Sequence, residues 1–143
     1  MVAEPFDAEP TLPVLHVLVV DDHPDTAESE AQLLRYLGYC VRTARTGPQA
    51  VAAAQAQPPD VVLMDLGLPG MDGYLAAAEI RRSCPHKPLV IAVTGFANVS
   101  YRRRCSEEGF DHFLVKPCDP DALATLLKTH AATLCIVQGA SGP

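Results

Sequence analysis

Val61-Val62-Leu63-Met64 is an unbroken apolar run that ends in one carboxylate, Asp65, and a turn-rich stretch from Leu66 to Gly73 follows at once. A short apolar run bounded by turn signals reads as a strand buried on both faces, the kind found in the middle of a parallel sheet. Asp65 then stands at the carboxyl end of that strand, on the edge where open α/β sheets bind ligands. A carboxylate costs too much to bury unpaired, so this position requires a partner.

The rest of the chain repeats that grammar. Val14 to Val20 is a strand that ends in Asp21-Asp22, and His23-Pro24-Asp25 turns the chain into a helix to about Leu37. Ala27, Ala31 and Leu34, with Leu33 and Leu37, give that helix its apolar stripe, and Gly38 ends it. Tyr39 to Ala44 is a second strand. Thr46-Gly47-Pro48-Gln49 has the pattern of a capping box and opens a helix that stops before Pro58-Pro59. Asp60 to Asp65 is the third strand. Asp72 starts a helix through Leu75, Ala78 and Ile80 to about Ser83. Leu89 to Val93 is the fourth strand, with Thr94 and Gly95 at its end. Asn98 is placed to cap a helix that Gly109 stops. Asp111 to Val115 is the fifth strand, followed by Lys116-Pro117. Asp119 and Pro120 open a last helix with Leu123, Leu126 and Leu127 on its buried side.

Five alternating strand–helix units predict an α/β fold, a doubly wound parallel sheet with helices on both faces. Right-handed crossovers leave few topologies. The flavodoxin-like order 2-1-3-4-5 with five helices fits, since the third strand should be central. Residues 1–13 carry three prolines and three acids with no apolar period, and read as a disordered tail. Residues 14–133 form the domain, and 134–143 read as a C-terminal tail.

Composition narrows the function. A chain of 143 residues suits one core. A net charge of −6 argues against direct nucleic-acid binding. No apolar run reaches the roughly 18 residues that a membrane span needs, and the N-terminus lacks a signal peptide's basic start and apolar core. A cytoplasmic location is expected. The five cysteines include no Cys-x-x-Cys pair, and read as small buried residues in a reducing compartment.

In a parallel sheet all strand ends share one edge. Asp21, Asp22, Asp65, Thr94 and Lys116 should therefore converge. Taken singly, each has a plain reading: Asp22 or Asp25 as a helix cap, Asp65 as an Asx-turn residue, Thr94 as a loop hydroxyl, Lys116 as a solvated cation. Together, three carboxylates repel one another, and a hard divalent cation such as Mg²⁺ removes that repulsion with all-oxygen ligands. Lys116 and Thr94 supply a charge and a donor for an anion. Such a site suits a phosphoryl group beside a metal, with a carboxylate able to attack phosphorus.

With these residues in view, the chain resembles the receiver domain of two-component response regulators over roughly Val14 to Thr133. The resemblance is carried by Asp21-Asp22 after VLHVLVV, by VVLMDLGLPGMDG around Asp65, by LVIAVTG with Thr94, and by FLVKP with Lys116-Pro117. It implies that Asp65 accepts a phosphoryl group from a phosphohistidine on a sensor histidine kinase or a histidine phosphotransfer protein. Asp22, Asp65 and the carbonyl of Gly67 would ligate Mg²⁺, with Asp21 acting through a metal-bound water. Thr94 and Lys116 would bind phosphoryl oxygens, and the Lys116-Pro117 bond would be cis. The domain would not be an enzyme in the turnover sense, but a phosphoacceptor that promotes its own phosphorylation and dephosphorylation. Phosphorylation would draw Thr94 inward and switch partner binding. The aromatic switch position falls on Phe113, which has no hydroxyl. Gly67 and Phe96 occupy positions that govern water access to the phosphoryl group, and Gly95 leaves room for phosphate.

No DNA-binding or catalytic module follows the domain, so output is expected through a downstream protein partner or through a neighbour in a longer chain. The implied contact face is that of the fourth helix, fifth strand and fifth helix, with Tyr101 to Arg104, His112, Phe113, Cys118 and Asp121; a homodimer through it is among the expectations. The first helix would receive the histidine-bearing partner at Glu28, Gln32 and Arg35. Two rivals differ in class. A haloacid dehalogenase-type phosphatase wants two aspartates one residue apart on the nucleophile strand, which Asp65-Leu66-Gly67 does not supply. A phosphorylation-independent interaction module has no need of the acid pocket.

Overall fold

The structure is a computed structural model that describes residues 14–68, 72–95 and 99–140, the last six and Val99 as backbone only. Five strands and five helices alternate: β1 His16–Val20, α1 Pro24–Tyr36, β2 Cys40–Ala44, α2 Gly47–Ala56, β3 Val61–Asp65, α3 Gly73–Ser83, β4 Leu89–Thr94, α4 Val99–Glu107, β5 His112–Val115, α5 Pro120–Ala140. The strands are parallel in the order β2-β1-β3-β4-β5, as the sequence predicts.

The path explains the layers. From β1 the chain moves outward to β2, then returns past β1 to β3 and on to β5. Right-handed crossovers in opposite directions must use opposite faces. Leu18, Val20, Val62, Met64, Val90 and Ala92 accordingly pack on one side with Ala50 and Ala54 of α2, Ala76, Ala77 and Ile80 of α3, and Cys105 of α4. Val17, Val19, Val61, Leu63, Ile91 and Val93 pack on the other with Ala27 and Leu34 of α1 and Leu123, Leu127 and Ala131 of α5. All of β3 is buried. Truncating a core leucine such as Leu63 to alanine removes about 2–5 kcal/mol.

The helix ends follow local chemistry. Gly38, at φ 103°, closes α1: Tyr39 N donates to the Leu34 carbonyl and Gly38 N to that of Arg35, the paired bonds of a Schellman end. Gly109, at φ 90°, closes α4 the same way, with Phe110 N on the Cys105 carbonyl and Gly109 N on that of Ser106. Thr46 Oγ1 accepts from Gln49 N at 3.1 Å. The return bond of the box lands one residue early, from Arg45 N to Gln49 Oε1.

Several boundaries differ from expectation. Asp60 and Asp111 are not the first residues of β3 and β5; their carboxylates instead accept from the amides of His16 and Val90, at 2.8 Å each, and so start neighbouring strands. The buried side of α3 is Tyr74, Ala76, Ala77 and Ile80, while Leu75 is exposed. Leu37 is exposed too. α5 continues past Thr133 to Ala140, so residues 134–140 are helix rather than tail. Cys84 and Cys105 are buried, but Cys40 is exposed and Cys118 half-buried. Residues 1–13, Phe96 and the cap at Asn98 lie outside the described residues. No helix among the described residues is long and apolar enough to cross a membrane.

Candidate functional site

The sheet reverses its winding between β1 and β3, and this is where ligands bind in such folds. Asp21 follows β1 directly, and its amide still donates to the Ala44 carbonyl of β2. Asp65 is the last residue of β3, opposite Val93 of β4. Thr94 ends β4 beside Val115, and its carbonyl accepts from Lys116 N at 2.8 Å. The register of four strands thus delivers these residues to one rim.

The carboxylates are dry for their charge. Asp21 is 2% exposed and Asp65 6%. Lys116 joins them. Its Nζ stands 2.7 Å from Asp21 Oδ2 and 3.4 Å from Asp65 Oδ2. The Lys116-Pro117 bond is cis, in agreement with the resemblance. Asp65 Oδ1 accepts from the amide of Gly67 at 3.0 Å. Burial raises the Asp65 pKa above the ordinary aspartate value, against the lowering effects of the Gly67 amide and the Lys116 charge. Burial opposes the charge on Lys116, yet the hydrogen bond to Asp21 and the two carboxylate charges outweigh it and raise its pKa.

Asp22 is half-buried, but its Oδ1 atom is shielded from solvent and accepts no hydrogen bond. A buried oxygen left without a donor is a costly arrangement, and a cation resolves it. Ligand atoms of Asp21, Asp22, His23 and Asp65 all lie within 4.8 Å of one another, the one such cluster among the described residues. The donor set is rich in oxygen, as a hard divalent ion requires. The residues present therefore fit Mg²⁺.

Other expected residues have distinct settings. Thr94 is buried, at 1% exposure. Phe113 is half-buried against the α2–α3–α4 side, and the Arg102 guanidinium lies over its ring at 4.7 Å. The Arg104 guanidinium lies 3.8 Å from the centre of the Tyr74 ring. The arginine run is thus exposed and partly stacked on aromatic rings. Glu28, Gln32 and Arg35 are exposed on α1, as expected. Cys118 differs from expectation: it turns to α1, with Sγ 3.8 Å from Glu30 Oε2, and leaves the α4–β5–α5 face.

Sequence reasoning missed Glu30 and gave His23 only a turn. Glu30 sits in a cleft of about 520 Å³ shared by Asp25, Ser29, Lys116, Pro117 and Cys118. Its pKa is pushed up to about 7, first by burial and then by the Asp21 charge. The Cys118 thiol is pushed up to about 11, again by burial first, with the Glu30 charge adding to it. The helical spacing of Glu30 from Ala27 and Leu34 places it beside the buried stripe, and that was the available signal.

Known proteins are similar to this chain in sequence and in fold. The sensor histidine kinase RcsC of Salmonella typhi is 39% identical over 115 residues, which is 80% of this chain and 12% of that protein. The probable transcriptional regulatory protein TcrX of Mycobacterium tuberculosis is 41% identical over 101 residues, 71% of this chain and 43% of that one. The chain thus spans less than half of either relative. Among solved structures, the receiver domain of a sensor histidine kinase from Pseudomonas aeruginosa, with magnesium coordinated in its active-site cleft, matches at 34% identity and a TM-score of 0.74, over 84% of this chain and 99% of that one. The signal receiver domain of a Luxo repressor protein from Vibrio parahaemolyticus matches at 25% identity and a TM-score of 0.80, over 92% and 100%. The model of the response regulator receiver domain matches residues 17–128. With a parallel sheet in the order 2-1-3-4-5 and most of its length inside that match, the chain belongs to the response regulator receiver domain family of two-component signalling.

Proposed function

We propose that Asp65 is the phosphoacceptor of a two-component phosphorelay. An Asp65 carboxylate oxygen attacks phosphorus of a phosphohistidine; the P–N bond breaks and the imidazole nitrogen leaves with a proton from solvent. The product is an aspartyl phosphate. Asp22, Asp65 and the Gly67 carbonyl hold Mg²⁺, which supplies charge neutralisation for the carboxylates and the incoming phosphoryl oxygens. Asp21 fixes Lys116 at the rim, where the ammonium meets a phosphoryl oxygen, and Thr94 donates to another. The donor is a sensor histidine kinase or a histidine phosphotransfer protein, which places the domain in the cytoplasm. Movement of Thr94 and Phe113 then alters partner binding, or self-association, at the α4–β5–α5 face.

The observation that carries this reading is the meeting of Lys116 Nζ with both Asp21 and Asp65 at the rim, at 2.7 and 3.4 Å. The test is incubation with acetyl phosphate, with and without Mg²⁺, followed by intact mass measurement. The wild type gains one hydroxylamine-labile phosphoryl group only with Mg²⁺, and Asp65→Asn gains none. Equal labelling of that variant would refute the assignment.

A further inference from the structure

His23 follows the acidic pair, and its position is set by its own backbone. Its amide donates to Asp21 Oδ1 at 2.9 Å, and Pro24 begins α1 immediately after it. This turn aims the imidazole across the mouth of the acidic site. Nδ1 lies 3.2 Å from Asp21 Oδ1 and 3.3 Å from Asp22 Oδ1. The second contact has no hydrogen-bond geometry, since Asp22 Oδ1 has no hydrogen-bond partner.

The contact with Asp21 is a hydrogen bond, whereas the 3.3 Å separation from Asp22 Oδ1 suits two atoms that share one ion. Metal–ligand bonds of roughly 2.0–2.2 Å put neighbouring ligand atoms about 3.0 Å apart in an octahedron and about 3.4 Å apart in a tetrahedron. The distance from His23 Nδ1 to Asp22 Oδ1 falls in that interval. Asp65 also offers an oxygen within the same 4.8 Å cluster. The ring is 68% exposed, so it turns toward an ion without disturbing the core.

We propose that His23 Nδ1 is a direct metal ligand, which makes this an imidazole–carboxylate site that takes borderline divalent cations such as Ni²⁺, as well as Mg²⁺. Carboxylates and carbonyls alone suit Mg²⁺, whereas imidazole nitrogen favours the later transition metals. The inference rests on the reading of Asp22 and Asp65 as cation ligands and adds a donor of another class. Its consequence is competition: a transition metal bound through His23 occupies the place that Mg²⁺ needs.

Pulsed electron paramagnetic resonance with Mn²⁺ tests the ligand directly, at a pH above the ordinary histidine range. Mn²⁺ bound to the wild type and displaced by excess Mg²⁺ should show ¹⁴N coupling, and His23→Gln should lose that coupling while still binding Mn²⁺. Calorimetry should show Ni²⁺ affinity lowered about tenfold or more in His23→Gln, a larger fall than that of Mg²⁺ affinity; equal falls would overturn the preference. Mg²⁺-displaceable Mn²⁺ without nitrogen coupling in the wild type overturns the role of His23 and leaves the phosphoacceptor reading intact. Absence of any Mg²⁺-displaceable Mn²⁺ overturns both.

Discussion

Lys116 leans on Asp21 rather than on Asp65: its ammonium is 2.7 Å from the first carboxylate and 3.4 Å from the second. Asp21 is almost fully buried, at 2% exposure, so this bond is what balances its charge. Lys116→Met should destabilise the metal-free protein by about 1–3 kcal/mol, because it leaves a buried carboxylate with the His23 donors but without its cation. Urea unfolding with and without Mg²⁺ reads the effect, and Mg²⁺ should recover more stability in the variant than in the wild type. A variant as stable as the wild type without Mg²⁺ would show that the pair is replaceable by water. Phosphoryl labelling should fall at least tenfold.

Asp65→Asn removes a charge from a rim where burial already raises that group's pKa. The variant should be more stable than the wild type without Mg²⁺, by about 1 kcal/mol. Mg²⁺ at about ten times its Kd should raise the wild-type stability by about 1.4 kcal/mol. For a domain of this size that shifts Tm by about 3–6 °C. Thermal melts across a Mg²⁺ series measure both. An undiminished Mg²⁺ shift in Asp65→Asn would take that carboxylate out of the ligand set.

Two glycines near Asp65 should behave oppositely. A Cβ at Gly73 would stand 2.6 Å from the Asp65 carbonyl oxygen, whereas one at Gly67 would meet only Asp65 Oδ1, at 3.8 Å. Gly73→Ala must push β3 and α3 apart and should cost about 2 kcal/mol or more. Gly67→Ala should fold with under about 0.5 kcal/mol of change. Denaturant midpoints decide it; equal midpoints would mean that α3 is free to shift.

Glu30 carries a pH signature. Its pKa of about 7 lies above the unfolded value of 4.5. Between those values the folded state binds more protons than the unfolded chain, so this group lowers stability as pH rises from about 4.5 to 7. Glu30→Gln should remove that slope and be the more stable protein at pH 8. Unfolding curves across this range check the sign. A steeper fall in the variant would locate the titration elsewhere. Iodoacetamide should also reach exposed Cys40 well before Cys118, whose thiol stays protonated beside Glu30.

Strand order and the converging rim residues were legible because the apolar runs of β1, β3, β4 and β5 each end in polar residues, and period and handedness do the rest. Lys116 needed only the parallel sheet to meet Asp21. Side-chain contacts between elements had no such signal. Arg102 reads only as part of the implied contact face, yet its flat guanidinium stacks on Phe113. Cys118 turns toward Glu30 across a gap of 88 residues in sequence, which no local pattern encodes. The acids at 60 and 111 read as strand residues because each adjoins an apolar run, but their carboxylates serve amides on the neighbouring strands.

The end of α4 carries one more implication. Both terminal nitrogens of Arg81, on α3, donate to the Glu108 carbonyl at 3.0 and 2.9 Å. The guanidinium also lies 5.5 Å from the Phe110 ring centre, and Gly109 leaves it space. A rod moored at one end swings instead of sliding. Any displacement of α4 should therefore have its longest stroke at the Val99 end, nearest Thr94, and almost none beside Gly109, so that a partner gripping the moored end would be blind to the signal.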